Sequence, residues 1–117
     1  MDDMKQLPTR EEFLALLWNQ VINEPMREAW IEDEIRRSQK RPNDPFADIG
    51  PLLNRLIELG VSRRDLSLLY RYASYRAVFS TLYKLGDPGC SDLGMLFEEL
   101  LTADPSGLEG RPGSAIL

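Results

Sequence analysis

The chain contains no histidine. That single absence removes the commonest general base, the Ser-His-Asp and Cys-His arrangements, and the most frequent transition-metal ligand. Di-metal helical bundles built on Glu-x-x-His pairs go with them. Cysteine occurs once, at Cys90, so no internal disulfide can form, which fits a reducing compartment. Cys90 follows Gly89 and precedes a helix start, a place where a thiol pKa can fall. A small residue in a turn is the plainer reading.

No stretch of 18 apolar residues is long enough to span a bilayer, and Met1-Asp2-Asp3 has no apolar run behind it, so neither an anchor nor a secretory signal is expected. Cytoplasmic location follows as the expectation. Positive charge is in the minority, with 14 Lys and Arg against 19 Asp and Glu, a net charge of -5. An acidic chain is not drawn broadly to nucleic acid or to anionic membranes. Strand-like alternation and Gly-rich phosphate loops are missing as well. The acidic runs Glu32-Asp33-Glu34 and Glu98-Glu99 place neighbours about 100° apart on a helix, so they do not converge on one ion. Neither a metal nor a cofactor is expected.

What remains is helix. A chain of 117 residues that is 43% hydrophobic and 28% charged suits one domain, burying roughly two-thirds of its unfolded surface. The organising stretch runs from Ser62 to Gly86: Ser62 is an N-cap with Asp65 in the first turn, while Gly86 and Pro88 end the helix. Apolar and aromatic side chains occupy well over half its circumference, which predicts a central helix packed on several sides, with Ala73 and Phe79 nearly inaccessible.

Around it the pattern predicts a helix from Thr9 to Asn23, opened by a Thr9/Glu12 capping box. A second, with Pro25 in its first turn, reaches Gln39. A third spans Phe46 to Leu59, and a short one runs from Ser91 or Asp92 to Leu101. The fold class is therefore all-α, a single-domain array of about five helices around a long central helix over residues 62–86. Residues 1–8 are an N-terminal segment, 9–104 the helical domain, and 105–117 a Gly/Pro/Ser-rich C-terminal tail that is flexible or laid along the surface.

Three constellations are candidates for function. On the second helix, Met26 and Trp30 lie about 140° from Ile31 and Ile35. Two narrow stripes need two contacts, and a peripheral helix wedged between neighbours is the plain explanation. A self or partner interface through Met26, Trp30, Ile31 and Ile35 is the sharper one, most simply as a two-fold homodimer.

On the long helix, Asp65, Tyr72, Arg76 and Tyr83 fall within about 40° of one another and form a polar and aromatic stripe. Arg76 is then a charge on a mostly buried side, closed into a network by a carboxylate elsewhere; if the stripe opens instead, it forms a histidine-free catalytic or ligand pocket or contacts a partner, with Tyr72, Arg76 and Tyr83 as the second choice for an interface. The other side carries Arg63, Arg64, Ser67, Arg71, Ser74 and Thr81, ordinarily the wet face. Over residues 52–71 the spacing also matches a helix-turn-helix, with Arg63, Arg64 and Arg71 available to phosphates. Leu56 stands where that motif favours a small residue, and the second helix is too long and apolar for a groove.

By subtraction, the leading expectation is a small cytosolic protein-protein interaction or regulatory protein without catalytic activity, with DNA binding and an Arg76 pocket as its alternatives.

Overall fold

The computed structural model describes residues 8–86, 99–112 and 114. Among these it is all-helical, with no strand. Helix α1 covers Arg10–Leu17. Thr9 caps it as the sequence requires: its hydroxyl accepts the Glu12 amide at 3.1 Å, and the Glu12 carboxylate accepts the Thr9 amide at 2.8 Å. The chain then widens into a π turn over Trp18–Ile22. Leu14, Trp18 and Ile22 are all at most 1% exposed. In a straight α-helix each four-residue step would rotate this row by about 40°. The wider turn takes that drift back, so Trp18 and Ile22 stay on the inner side.

The expected second helix is divided. Glu24–Arg27 forms a 3-10 turn with Pro25 near its start, Glu28 stands in the left-handed region at φ 65°, and α2 then runs over Ala29–Lys40. This break explains the split apolar pattern. Met26 and Trp30 do not share a helix, and the 3-10 turn packs against the long helix while α2 packs against α3.

Helix α3 covers Ile49–Glu58, starting later than Phe46. It closes with paired carbonyl bonds: the Gly60 amide donates to Ile57 and the Val61 amide to Leu56, each at 3.0 Å. Gly60 sits at φ 99°, where a glycine carries no side-chain penalty. Ser62 then caps α4, its hydroxyl accepting the Asp65 amide at 3.0 Å.

Helix α4, Arg63–Gly86, is 24 residues long and so about 36 Å from end to end. It bridges two small cores. Near its start, Leu66 joins Ile31 of α2 and Leu53 of α3, flanked by Trp30, Ile35, Ile49, Leu56, Ile57 and Val61. Near its end, Leu82 joins Leu14, Trp18, Ile22 and Leu100, flanked by Tyr75, Val78 and Phe79.

Supporting two cores along one side leaves the other side uncovered, which corrects the expectation for this helix. Ala73 is exposed and Phe79 only half-buried, while Leu69, Tyr70, Tyr72 and Tyr83 face outward. Part of the side expected to be wet turns inward, with Ser67 fully buried and Arg71 and Ser74 half-buried, while Arg63, Arg64 and Thr81 stay exposed.

The short helix expected from Ser91 or Asp92 lies almost wholly outside the described residues. Its last residues are described: Leu100 is fully buried, and its carbonyl accepts the Trp18 indole N–H at 2.7 Å. Beyond it, the buried Asp104 carboxylate accepts the amides of Ser106 at 2.9 Å and Gly110 at 2.8 Å. These bonds wind residues 104–111 into a closed turn.

Candidate interaction surface

Among the described residues, one side of α4 is left uncovered. Asp65, Leu69, Tyr72, Ala73, Arg76, Ser80, Tyr83 and Lys84 are all exposed. At 100° per residue they fit within an arc of about 120°. Leu69 is 66% exposed and Tyr72 58%, and they stand together on this strip rather than singly.

Beside this strip runs a groove of about 680 Å3 lined by Trp30, Glu34, Arg37, Phe46, Asp48, Ile49, Leu69, Tyr70 and Ala73. Its rim carries Phe46, 81% exposed and held at φ 62°. A bulky residue in the left-handed region costs about 1 to 3 kcal/mol and points to a local constraint. Trp30 forms the floor, locked by an edge-to-face contact with Tyr70 at 4.7 Å and an indole hydrogen bond to Ser67 at 3.0 Å. Glu34 and Arg37 are paired through Nε at 3.1 Å on the wall.

The predicted pocket residues Asp65, Tyr72, Arg76 and Tyr83 are all exposed on one side of α4, and Tyr72 also lines a smaller cavity beside Arg71. Arg76 is exposed and donates to the Tyr72 hydroxyl at 3.0 Å, its guanidinium 5.8 Å from that ring's centre. The hydrogen bond to Tyr72 raises the Arg76 pKa. Tyr83 stacks on Phe79 at 6.5 Å. Asp65 stands at the opposite end of the strip. The expectation of Arg76 on a mostly buried side is corrected, because the helix turns its other face inward.

The interface residues proposed on the second helix are used inside the chain. Ile31 is fully buried, Met26 is 5% exposed, and Trp30 and Ile35 pack on the core made by Ile31, Leu53 and Leu66. Helices α3 and α4 supply the second contact that Ile31 and Ile35 required. Of this set, Trp30 alone reaches the groove.

The three arginines of the DNA reading are not presented together. Both Nε and Nη2 of Arg63 donate to Glu32, the former at 3.0 Å. Arg64 is exposed. Arg71 turns inward, Nε donating to Asn23 at 2.6 Å and Nη2 to Ser114 at 3.0 Å, with the guanidinium 5.6 Å from the Trp18 ring centre. Burial lowers its pKa, opposed by the attraction of Asp104.

A smaller cavity of about 280 Å3 opens here, lined by Trp18, Ile22, Leu68, Arg71, Tyr72, Tyr75, Leu101, Glu109 and Gly110. The pattern on α4 gave no sign that Arg71 would be drawn in, since its partners, Asn23 and Ser114, lie 48 and 43 residues away. Among the described residues no group of three or more acidic or cysteine side chains could hold a metal. No described helix is long and apolar enough to cross a membrane. Among known proteins no family model, curated sequence or solved structure matches the chain.

Proposed function

We propose that this is a small cytoplasmic interaction or regulatory protein that works by docking the outer face of α4, with its adjoining groove, onto a protein partner. The observation that carries the reading is the exposure of Leu69, Tyr72 and Phe46 on one contiguous side of the molecule. Aromatic side chains supply large contact area at low entropic cost and dominate binding energy at interface centres. Asp65 and Lys84 stand at the two ends of the strip, Arg76 lies within it, and no acid occurs between Asp65 and Gly86, so charge frames the apolar and aromatic side chains at both ends. Neither alternative has a comparable observation behind it. Arg63 and Arg71 spend their forks on Glu32, Asn23 and Ser114, and Arg76 lines neither the groove nor the smaller cavity.

The test is site-specific photo-crosslinking in the source cell. A benzophenone side chain at Ala73 is expected to give protein adducts that Leu69→Arg abolishes. The same group at Arg55, on the exposed side of α3, is expected to give none. Equal adducts at both positions, or none at Ala73, would overturn the reading.

A further inference from the structure

The exposed strip of α4 is complementary to itself when run in the opposite direction. Its exposed members, Asp65, Leu69, Tyr72, Arg76, Ser80 and Tyr83, follow one another at steps of four, three, four, four and three residues. That alternation keeps a seam facing a second helix along its length. The seam has an anion at one end, Asp65, and a cation at the other, Lys84, and both are exposed.

Laid antiparallel about an axis beside Ser74, one copy of the seam brings Asp65 against Tyr83 and Lys84 of another, twice by symmetry. The same axis sets Tyr72 against Arg76, repeating between copies the cation and ring pairing that already exists within one chain at 5.8 Å. Leu69 then falls opposite the Phe79–Ser80 step, and Ala73 allows close approach at the centre. A parallel arrangement would instead set Asp65 on Asp65 and Lys84 on Lys84.

Overall charge favours the same surface. Two copies with net charge -5 repel one another over most of their area, and least along the stretch from Leu66 to Gly86, which contains no acid. Antiparallel helices also set their dipoles head to tail.

From the α4 docking reading above, we infer that the occupant of this face is a second copy of the same chain, paired through α4 as an antiparallel, two-fold homodimer. Phe46, at the edge of the strip, widens the contact beyond the helix pair, toward the roughly 800 Å2 per partner that stable interfaces bury.

The full chain is examined by sedimentation equilibrium across the micromolar range, with far-UV circular dichroism confirming the fold of each variant. The native chain is expected to dimerise. Asp65→Lys and Lys84→Glu are each expected to weaken the dimer about three- to thirtyfold, since each changes two symmetry-related contacts. The double variant Asp65→Lys/Lys84→Glu is expected to recover most of the native affinity. A monomeric native chain overturns self-pairing, as does a dimer indifferent to both reversals, or one that the double variant weakens further. A monomer whose Ala73 crosslinks reach a different protein overturns the pairing alone; a monomer with no adduct at Ala73 overturns the docking reading as well.

Discussion

The Ser38 hydroxyl accepts the Gly50 amide at 3.0 Å, joining the end of α2 to the first turn of α3. Asp48, at the N-cap position of α3, makes no side-chain cap bond, so a serine from the neighbouring helix satisfies an orphan amide there. The approach is close enough that a methyl on Gly50 would lie 2.5 Å from the Ser38 Cβ. Gly50→Ala should normally gain about 1 kcal/mol of helix propensity; overpacking predicts a net loss of about 1 to 3 kcal/mol instead. Urea denaturation should show the lower midpoint, and Ser38→Gly should cost less in the Gly50→Ala background than alone. Additive losses would show that the two positions do not compete for the same space.

Glu28 holds φ 65° between the 3-10 turn and α2. Glu28→Gly should remove the left-handed penalty and stabilise by about 0.5 to 1 kcal/mol net of unfolded-chain entropy, raising the melting temperature by about 2 to 8 °C. Glu28→Ala keeps the Cβ and should not stabilise. If both variants behave alike, the turn is not strained by its side chain.

These two positions also mark the limit of what the sequence discloses. Thr9 with Glu12, Ser62 with Asp65, and the span of α4 were all legible because each is a local signal written within a few residues. The break at Glu28 and the π turn at Trp18 were not, since each serves a packing demand set by distant residues. The clearest miss is the facing of α4. With apolar residues on well over half its circumference, its pattern points the serine and arginine strip outward on local grounds alone. The choice falls to Trp30, which binds Ser67 at 3.0 Å, and to Asn23 and Ser114, which bind Arg71. Polar side chains that find partners bury at little cost, so the serine and arginine strip turned inward and the aromatic strip outward. The candidate surface was therefore named in part, as Tyr72, Arg76 and Tyr83, on a side expected to be mostly buried. Phe46 was missed because its exposure depends on a loop conformation.

Tyr75 supplies a pH test. Burial against Trp18 and Phe79 raises its pKa above the ordinary 10.0. The folded state thus holds the phenolic proton more tightly than the unfolded chain does. Its contribution is fully present below pH 10 and is lost as pH rises through the raised value. Tyr75→Phe removes that proton, so stability should fall less steeply on the alkaline side than in the native chain, while the two should run parallel near neutrality. Parallel alkaline limbs would mean that the Tyr75 hydroxyl is as well solvated in the fold as outside it.

Arg71 decides between a structural arginine and a phosphate ligand. Its fork joins Asn23, the part of the chain ending the π turn, to Ser114, while its face covers Trp18. Arg71→Lys keeps the charge but lacks the planar fork, so it cannot serve Asn23 and Ser114 together at these positions. Asn23 is 9% exposed and Ser114 3%, and leaving either short of a partner costs about 1 to 3 kcal/mol. Both Arg71→Lys and Arg71→Ala should therefore lower the denaturation midpoint, whereas Arg64→Ala, at an exposed position, should stay within about 0.5 kcal/mol of the native chain. A phosphate ligand would behave in the opposite way: duplex DNA binding would fall steeply with salt and fall again in the Arg63→Ala, Arg64→Ala and Arg71→Ala variants, with stability unchanged. Chemical denaturation of the four variants, beside a salt titration of duplex binding, separates the two roles. The bonds to Asn23 and Ser114 predict a stability loss confined to position 71 and no duplex affinity near physiological salt.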